Sequence, residues 1–246
     1  VDNIRTVSDT KRKFYGYHTR PINSIYRRFV EELLVEMHLL SVNVDFNYDP
    51  IYALGVVTSF ERFMQGYKPE SDKTSIFNAL CQAVDGNSEK YHQEAEALIN
   101  EAKGLSITEF KDKLGQEGGE GILWGTCSAI AQNPKFKYSR LFGVGLYTLL
   151  MEIDPDLVKE EEKRNQTIKE VSEALQFSSD KLQKDLDLYR SNLDKMQQLL
   201  TVIEDTLEAD RKKRMSQKLE KTAEPVDEKG DKENKENEEQ QQSSNG

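Results

Sequence analysis

PINSIYRRFVEELLVEMHLLSV, Pro21 to Val42, decides the fold class. Ile22, Ile25, Tyr26, Phe29, Val30, Leu33, Leu34, Met37 and Leu40 recur at steps of three and four, the spacing of one helix face. Pro21 suits a first helical turn, where its missing N–H costs nothing. Arg27, Arg28, Glu31, Glu32 and Glu36 fill the opposite side, which is therefore solvated or meets polar neighbours. A helix of about 20 residues runs about 30 Å, the width of a small domain. Later segments are expected to pack along it.

Downstream, the loop NVDFNYD leads into Asp49-Pro50, which reads as an N-cap followed by a first-turn proline. The helix it opens carries Ile51, Leu54, Val57, Phe60, Phe63 and Met64, and Gly66 offers a left-handed stop. A further helix has Ile76, Phe77, Leu80, Cys81 and Val84 and ends at Gly86. The next runs from Ser88 to Lys103, before Gly104. Ser106-Ile-Thr-Glu109 has the form of a capping box and opens a short helix with Phe110 and Leu114. GQEGGEG, Gly115 to Gly121, reads as a flexible connector. A phosphate loop would need Gly-Lys-Ser/Thr at its end, and two acids inside it would repel phosphate. Ile122–Gln132 and Tyr138–Ile153 follow. The second is apolar nearly all round and so belongs in the core. Gly143 and Gly145 lower its helix propensity by about 1 kcal/mol each relative to Ala, which makes sense where another helix comes close.

Upstream, residues 1 to 20 show no helical period and read as an arm. Between Val1 and Arg28 there are seven basic residues and two acidic ones. KRKFYGYHTR interleaves cations with Phe14, Tyr15 and Tyr17. Lys11, Arg12, Lys13, Arg20, Arg27 and Arg28 thus form a candidate contact patch for anionic lipid or an acidic partner. The competing reading buries the aromatics and leaves the cations in water on extended stems.

Asp154-Pro155 echoes Asp49-Pro50, and from there the character of the chain changes. Asp156 to Leu219 contains no Pro or Gly and is densely charged. Leu182, Leu186, Tyr189, Leu193, Met196, Leu200, Ile203 and Leu207 alternate steps of four and three, the seam of a coiled coil. Upstream the register weakens, with Ile168 and Leu175 but also Ser172 and Ser179. Downstream it ends at Asp210 and Arg214. A projecting helix that pairs with itself or another chain fits this seam, and so does an amphipathic helix folded back on the domain. Arg211 to Arg214 suit a helix C-terminus. From Lys221 onward the chain has Val226 as its single large apolar residue, too little to offset the entropy of ordering. The expected architecture is all-α: a compact multi-helix domain over 1–153, a long coiled-coil helix over 154–220 and a disordered acidic tail over 221–246.

The net charge of −10 argues against a nucleic-acid binder. No apolar run approaches a membrane span. Cys81 and Cys127 lack metal or redox spacing and read as buried thiols. The first residues, VDNIRTVSDT, read as a mature or trimmed form, with any targeting peptide expected outside the sequence. His18, His38 and His92 show no zinc spacing. A di-iron site would need Glu-x-x-His twice, and Val35 stands where the first Glu should be. Trp124 is most simply core. No catalytic, cofactor or metal residues are expected.

TVSDTKRKFYGYHTRPINSIYRRFVEELLVEMHLLSVNVDFNYDPIYALGVVTSFERFMQGY, Thr6 to Tyr67, and FKYSRLFGVGLYTLLM, Phe136 to Met151, closely resemble the thylakoid formation family of cyanobacteria and plant plastids, also described as a photosystem II biogenesis factor. The coiled-coil segment and acidic tail are similar to the plant chloroplast members. The resemblance implies a non-enzymatic, all-helical protein of the chloroplast stroma and thylakoid membrane surface, with the plastid envelope as a further location. It implies a role in thylakoid biogenesis and photosystem II turnover through the membrane-bound FtsH-type protease. Expected partners are that protease, photosystem II components and, for plant members, a G-protein α subunit in sugar signalling. Peripheral thylakoid contact is expected, and nucleic acid is not. The alternatives are a generic coiled-coil membrane-surface tether and an enzyme with an unrecognised site.

Overall fold

The computed structural model describes residues 5–114 and 119–222, with side chains to 217. Among them are ten α-helices and no strand: α1 Val7–Tyr17, α2 Ser24–Ser41, α3 Pro50–Phe63, α4 Glu70–Ala83, α5 Ser88–Ala102, α6 Ile107–Leu114, α7 Ile122–Ala131, α8 Arg140–Ile153, α9 Glu161–Ala174 and α10 Ser179–Thr222. A 3-10 turn, Pro155–Val158, separates α8 from α9. The chain forms two compact units, the first ending at Gln197 and the second beginning at Gln198. The acidic tail expected over 221–246 lies, from 223 on, outside the described residues, as do 115–118 of the glycine-rich connector.

Two helices form the centre. Nine residues of α3 and eight of α8 are buried, as befits helices apolar on every side. They meet backbone to backbone. A Cβ on Gly55 would overlap the carbonyl oxygen of Leu141, and one on Gly145 would overlap that of Ile51. The close approach expected at Gly145 is thus real, and its counterpart is Gly55. Gly143 instead faces the Tyr138 hydroxyl and the tip of Leu182. Asp49 caps α3 by accepting from Tyr52 N at 2.9 Å, and Ser139 caps α8 by accepting from Phe142 N at 3.0 Å.

This reciprocity extends through the first unit. NVDFNYDPIYALGVVT, Asn43 to Thr58, reappears ninety positions later as NPKFKYSRLFGVGLYT, Asn133 to Thr148. Both loops open with an asparagine side chain that accepts from the amide two residues on, at 3.0 Å in each case. In both, the Phe edges onto the first aromatic of the next helix, Phe46 on Tyr52 at 5.0 Å and Phe136 on Phe142 at 4.9 Å. α3 and α8 each have 14 residues, as do α4 and α9. Left-handed residues, Asp85 at φ 61° and Gln176 at φ 62°, end the turns before α5 and α10. The capping boxes at Thr6–Asp9 and Ser106–Glu109 open α1 and α6. Within the first unit the pattern of α1–α5 therefore recurs in α6–α9 and the start of α10, with Gly55 and Gly145 in reciprocal contact at the centre.

Four expectations are corrected. Residues 7–17 are helical rather than an irregular arm. The capping box fixes the start, and one buried turn, Thr10 and Phe14, is enough to seat the helix. α2 starts at Ser24, not Pro21, because Asn23 supplies the cap by accepting from Ile25 N. α4 ends through a left-handed Asp85 rather than Gly86. The helix expected over 154–220 is broken twice. Asp154-Pro155 opens a single 3-10 turn, and α9 stops at the left-handed Gln176 before α10 begins. The seam's first residues are part of the reason: Leu182, Leu186 and Tyr189 are buried in the first unit, which extends well past residue 153. Trp124 is half-buried, 5.8 Å from the Phe110 ring.

Candidate interaction surfaces

The six cations of the N-terminal patch do not form a free positive surface. Lys11 pairs with Glu31 at 3.0 Å, Arg12 with Asp9 at 3.2 Å, Lys13 with Asp85 at 3.1 Å, Arg20 with Asp72 at 2.7 Å and Arg28 with Glu32 at 2.9 Å. Arg5 also pairs with Asp85. The positive excess is thus answered by acids brought in from α2, α4 and the turn after it. The Tyr15 hydroxyl donates to Glu31 at 2.6 Å, and that bond, with Lys11, holds the Glu31 carboxyl below the usual range. Arg27 makes no ion pair among the described residues, and Arg12 and Arg28 keep most of their side-chain surface in water.

The repeat creates two related grooves in the first unit. Each lies between one helix, α2 or α7, and the loop that caps α8 or α3. The first, about 810 Å³, runs along α2 from Ser24 to Leu40 and under Tyr138, Ser139 and Arg140, and takes in Lys11, Arg27 and Arg28 of the predicted patch. The second, about 500 Å³, runs along Gly125, Thr126, Ala129 and Ile130 of α7 and under Tyr48, Asp49 and Pro50. The first groove reaches further, to Ser24; over the shared part Val35, Glu36, Leu39 and Leu40 correspond to Gly125, Thr126, Ala129 and Ile130, and Tyr138, Ser139 and Arg140 to Tyr48, Asp49 and Pro50. Their chemistry has diverged. The first groove is crossed by the Arg140–Glu36 ion pair at 2.6 Å and exposes Leu39. The second has no charge except Asp49, whose carboxyl burial pushes up to about 7.

Each loop tyrosine is clamped alike. Tyr48 donates to Glu94 at 2.7 Å under Lys90, whose ammonium sits 4.5 Å from the ring centre. Tyr138 donates to Asp185 at 3.0 Å under Lys181, at 5.0 Å. Burial and the neighbouring carboxylate raise both phenols well above their ordinary value. The sequence reading placed Glu36, Leu40, Asp49 and Pro50 on helices and caps, and assigned none of them to a groove. The signal was present in the text, as Asn-x-x-Phe-x-Tyr followed by Asp or Ser in both loops.

The coiled-coil seam divides. Leu182, Leu186 and Tyr189 are core, with Tyr189 edge-on to Phe63 at 6.0 Å. Leu193, Met196, Leu200 and Ile203 are half-buried and Leu207 is exposed. Two of the histidines have side-chain partners. His38 shares a hydrogen bond of 2.8 Å with Thr10, and His18 one of 2.8 Å with Ser75. Cys81 and Cys127 are free and buried, and burial pushes both thiols up to about 12. Among the described residues, no group of His, Cys, Asp and Glu is placed to hold a metal ion, and no helix is long and apolar enough to cross a membrane.

Comparison with known proteins gives the context for these surfaces. The sequence profile described as thylakoid formation protein matches residues 6–218. Protein Thf1 of Crocosphaera subtropica is 93% identical over 245 residues, covering 100% of both chains. Protein Thf1 of Synechocystis is 54% identical over 219 residues, covering 88% of this chain and 91% of its own. A solved structure titled "Structure of Psb29 at 1.55A" superposes with a TM-score of 0.76 at 44% identity, covering 86% of this chain and 99% of the other.

Proposed function

The chain belongs to the thylakoid formation protein family, and on that footing we propose that it is a non-enzymatic docking protein of thylakoid biogenesis and photosystem II turnover. The profile match over residues 6–218 carries this reading. The titratable groups agree with it. Asp49 caps a helix, Tyr48 and Tyr138 are tied to carboxylates, and the two thiols are buried. A perturbed group in an enzyme cleft is left free to react, whereas these hold structure.

The partners we propose are the membrane-bound FtsH-type protease and photosystem II components, engaged at the thylakoid surface. The relatives compared are cyanobacterial. They favour the cyanobacterial thylakoid over the chloroplast stroma or plastid envelope as the setting. The G-protein and sugar-signalling link rests on the plant members, and no feature of this chain adds to it. The test is capture. The full chain, immobilised and exposed to detergent-solubilised thylakoids, should retain the protease as an intact assembly. Retention of neither protease nor photosystem subunits, by a chain shown to be folded, overturns the reading.

A further inference from the structure

α10 is longer than the fold requires. By the repeat, its beginning is the counterpart of α5. The buried face of α5, Tyr91, Ala95, Leu98 and Ala102, maps onto Leu182, Leu186, Tyr189 and Leu193. α5 stops there, and Gly104, at φ 85°, turns the chain away. α10 has Lys195 at the matching position and runs on to Thr222. The fold's use for an apolar face on this helix therefore ends at Leu193. The face nevertheless continues in the same register through Met196, Leu200, Ile203 and Leu207. Beside it, Leu199 is 44% exposed and Val202 60% exposed.

We infer that this extension is a self-association helix, through which copies of the chain pack their Leu193–Leu207 faces together. The spacing selects the occupant first. Steps of three and four fit a partner helix of the same period. Among the described residues this helix alone leaves such a face half-exposed or open, so another copy supplies the matching surface. Charge favours this occupant over an anionic bilayer: within Leu193–Leu207 the acids Asp194, Glu204 and Asp205 outnumber the single cation Lys195, and the cluster Arg211–Arg214 lies beyond the face. Composition sets the form. Leu stands at each first seam position, with Met196 and Ile203 at the second. That choice favours more than two strands, and so does a face widened by Leu199 and Val202. The seam stops where Asp210 and Arg214 would set like charges against each other in parallel copies.

This inference does not depend on the biogenesis reading, and its test is the mass of the purified full chain. Sedimentation over a wide concentration range should show the mass rising to a whole-number multiple of one chain. Leu200→Asp with Ile203→Asp should return it to a single chain at every concentration, with Trp124 fluorescence, a report on the first unit, unchanged. Gln198→Asp, on the outer side of the helix, should keep the parent mass. A parent that stays a single chain throughout overturns the inference, including one that instead binds vesicles or another protein's helix through this face. So does a multiple that survives the double substitution.

Discussion

At the scale of single residues, the molecule turns on two glycines. The weakened propensity around Gly143 and Gly145 made a close neighbour legible in the sequence, because a helix keeps such residues where a side chain has no room. Which helix comes close was not legible, since nothing in a local window ties Gly55 to Gly145. Gly145→Ala should destabilise the protein by about 3 kcal/mol, the upper end of overpacking costs, because its Cβ meets backbone that cannot rotate away. Urea unfolding measures this. Asp49 supplies a second test. Burial raises its carboxyl to about 7 from an ordinary 3.8, so the folded chain holds a proton in that interval which the unfolded chain has released. This group's contribution is present below about 4 and is lost as pH rises through about 7. Asn caps a helix as well as Asp. Asp49→Asn should therefore raise stability at pH 8 and leave it little changed at pH 4, as read by thermal unfolding at the two values. His18 and His38 act in the opposite direction. Burial holds both below the ordinary imidazole value of 6.5, so the stability they contribute falls as pH drops below it.

At the scale of elements, most helices were readable from period and caps, and the reasons for the exceptions are physical. α1 went unread because a helix seated by Thr10 and Phe14 alone leaves too short an apolar stripe to show a period. The break between α9 and α10 went unread because no Gly or Pro marks it. Gln176 takes the left-handed conformation instead, at a cost that packing of Phe177 and Leu182 offsets. The Asp-Pro echo misdirected the reading. The true counterpart of Asp49-Pro50 is Ser139-Arg140, where the capping role survives and the proline does not. Equivalence of the two loops makes its own forecast. Tyr48→Phe and Tyr138→Phe each remove a hydrogen bond to a carboxylate held under a lysine. Each should cost about 1.5 kcal/mol, with similar losses at the two sites in chemical denaturation. A loss at one site only would mean that the clamps are alike in shape but not in load.

At the scale of the whole molecule, composition predicted more cation than the surface offers. The basic start of the chain and the acids downstream looked like separate regions in the text, and folding brings them together as ion pairs. Surface pairs of this kind contribute little stability, yet they reduce the charge available to a membrane. What remains for anionic lipid is Arg27, with the largely exposed Arg12 and Arg28. Arg27→Glu with Arg28→Glu should lower co-sedimentation with anionic vesicles at low salt, and the difference should shrink at 0.15 M salt, where the Debye length is about 8 Å. Equal sedimentation of parent and variant would place any lipid contact elsewhere. The reciprocal notch at Gly55 and Gly145 reaches further than any of these tests. A surface that fits its own duplicate across a two-fold axis is the kind a symmetric homodimer uses. With both faces on one polypeptide the encounter is tethered rather than bimolecular, and only the notch itself has to stay matched. The flanking grooves are under no such constraint, and one is crossed by an ion pair while the other stays apolar.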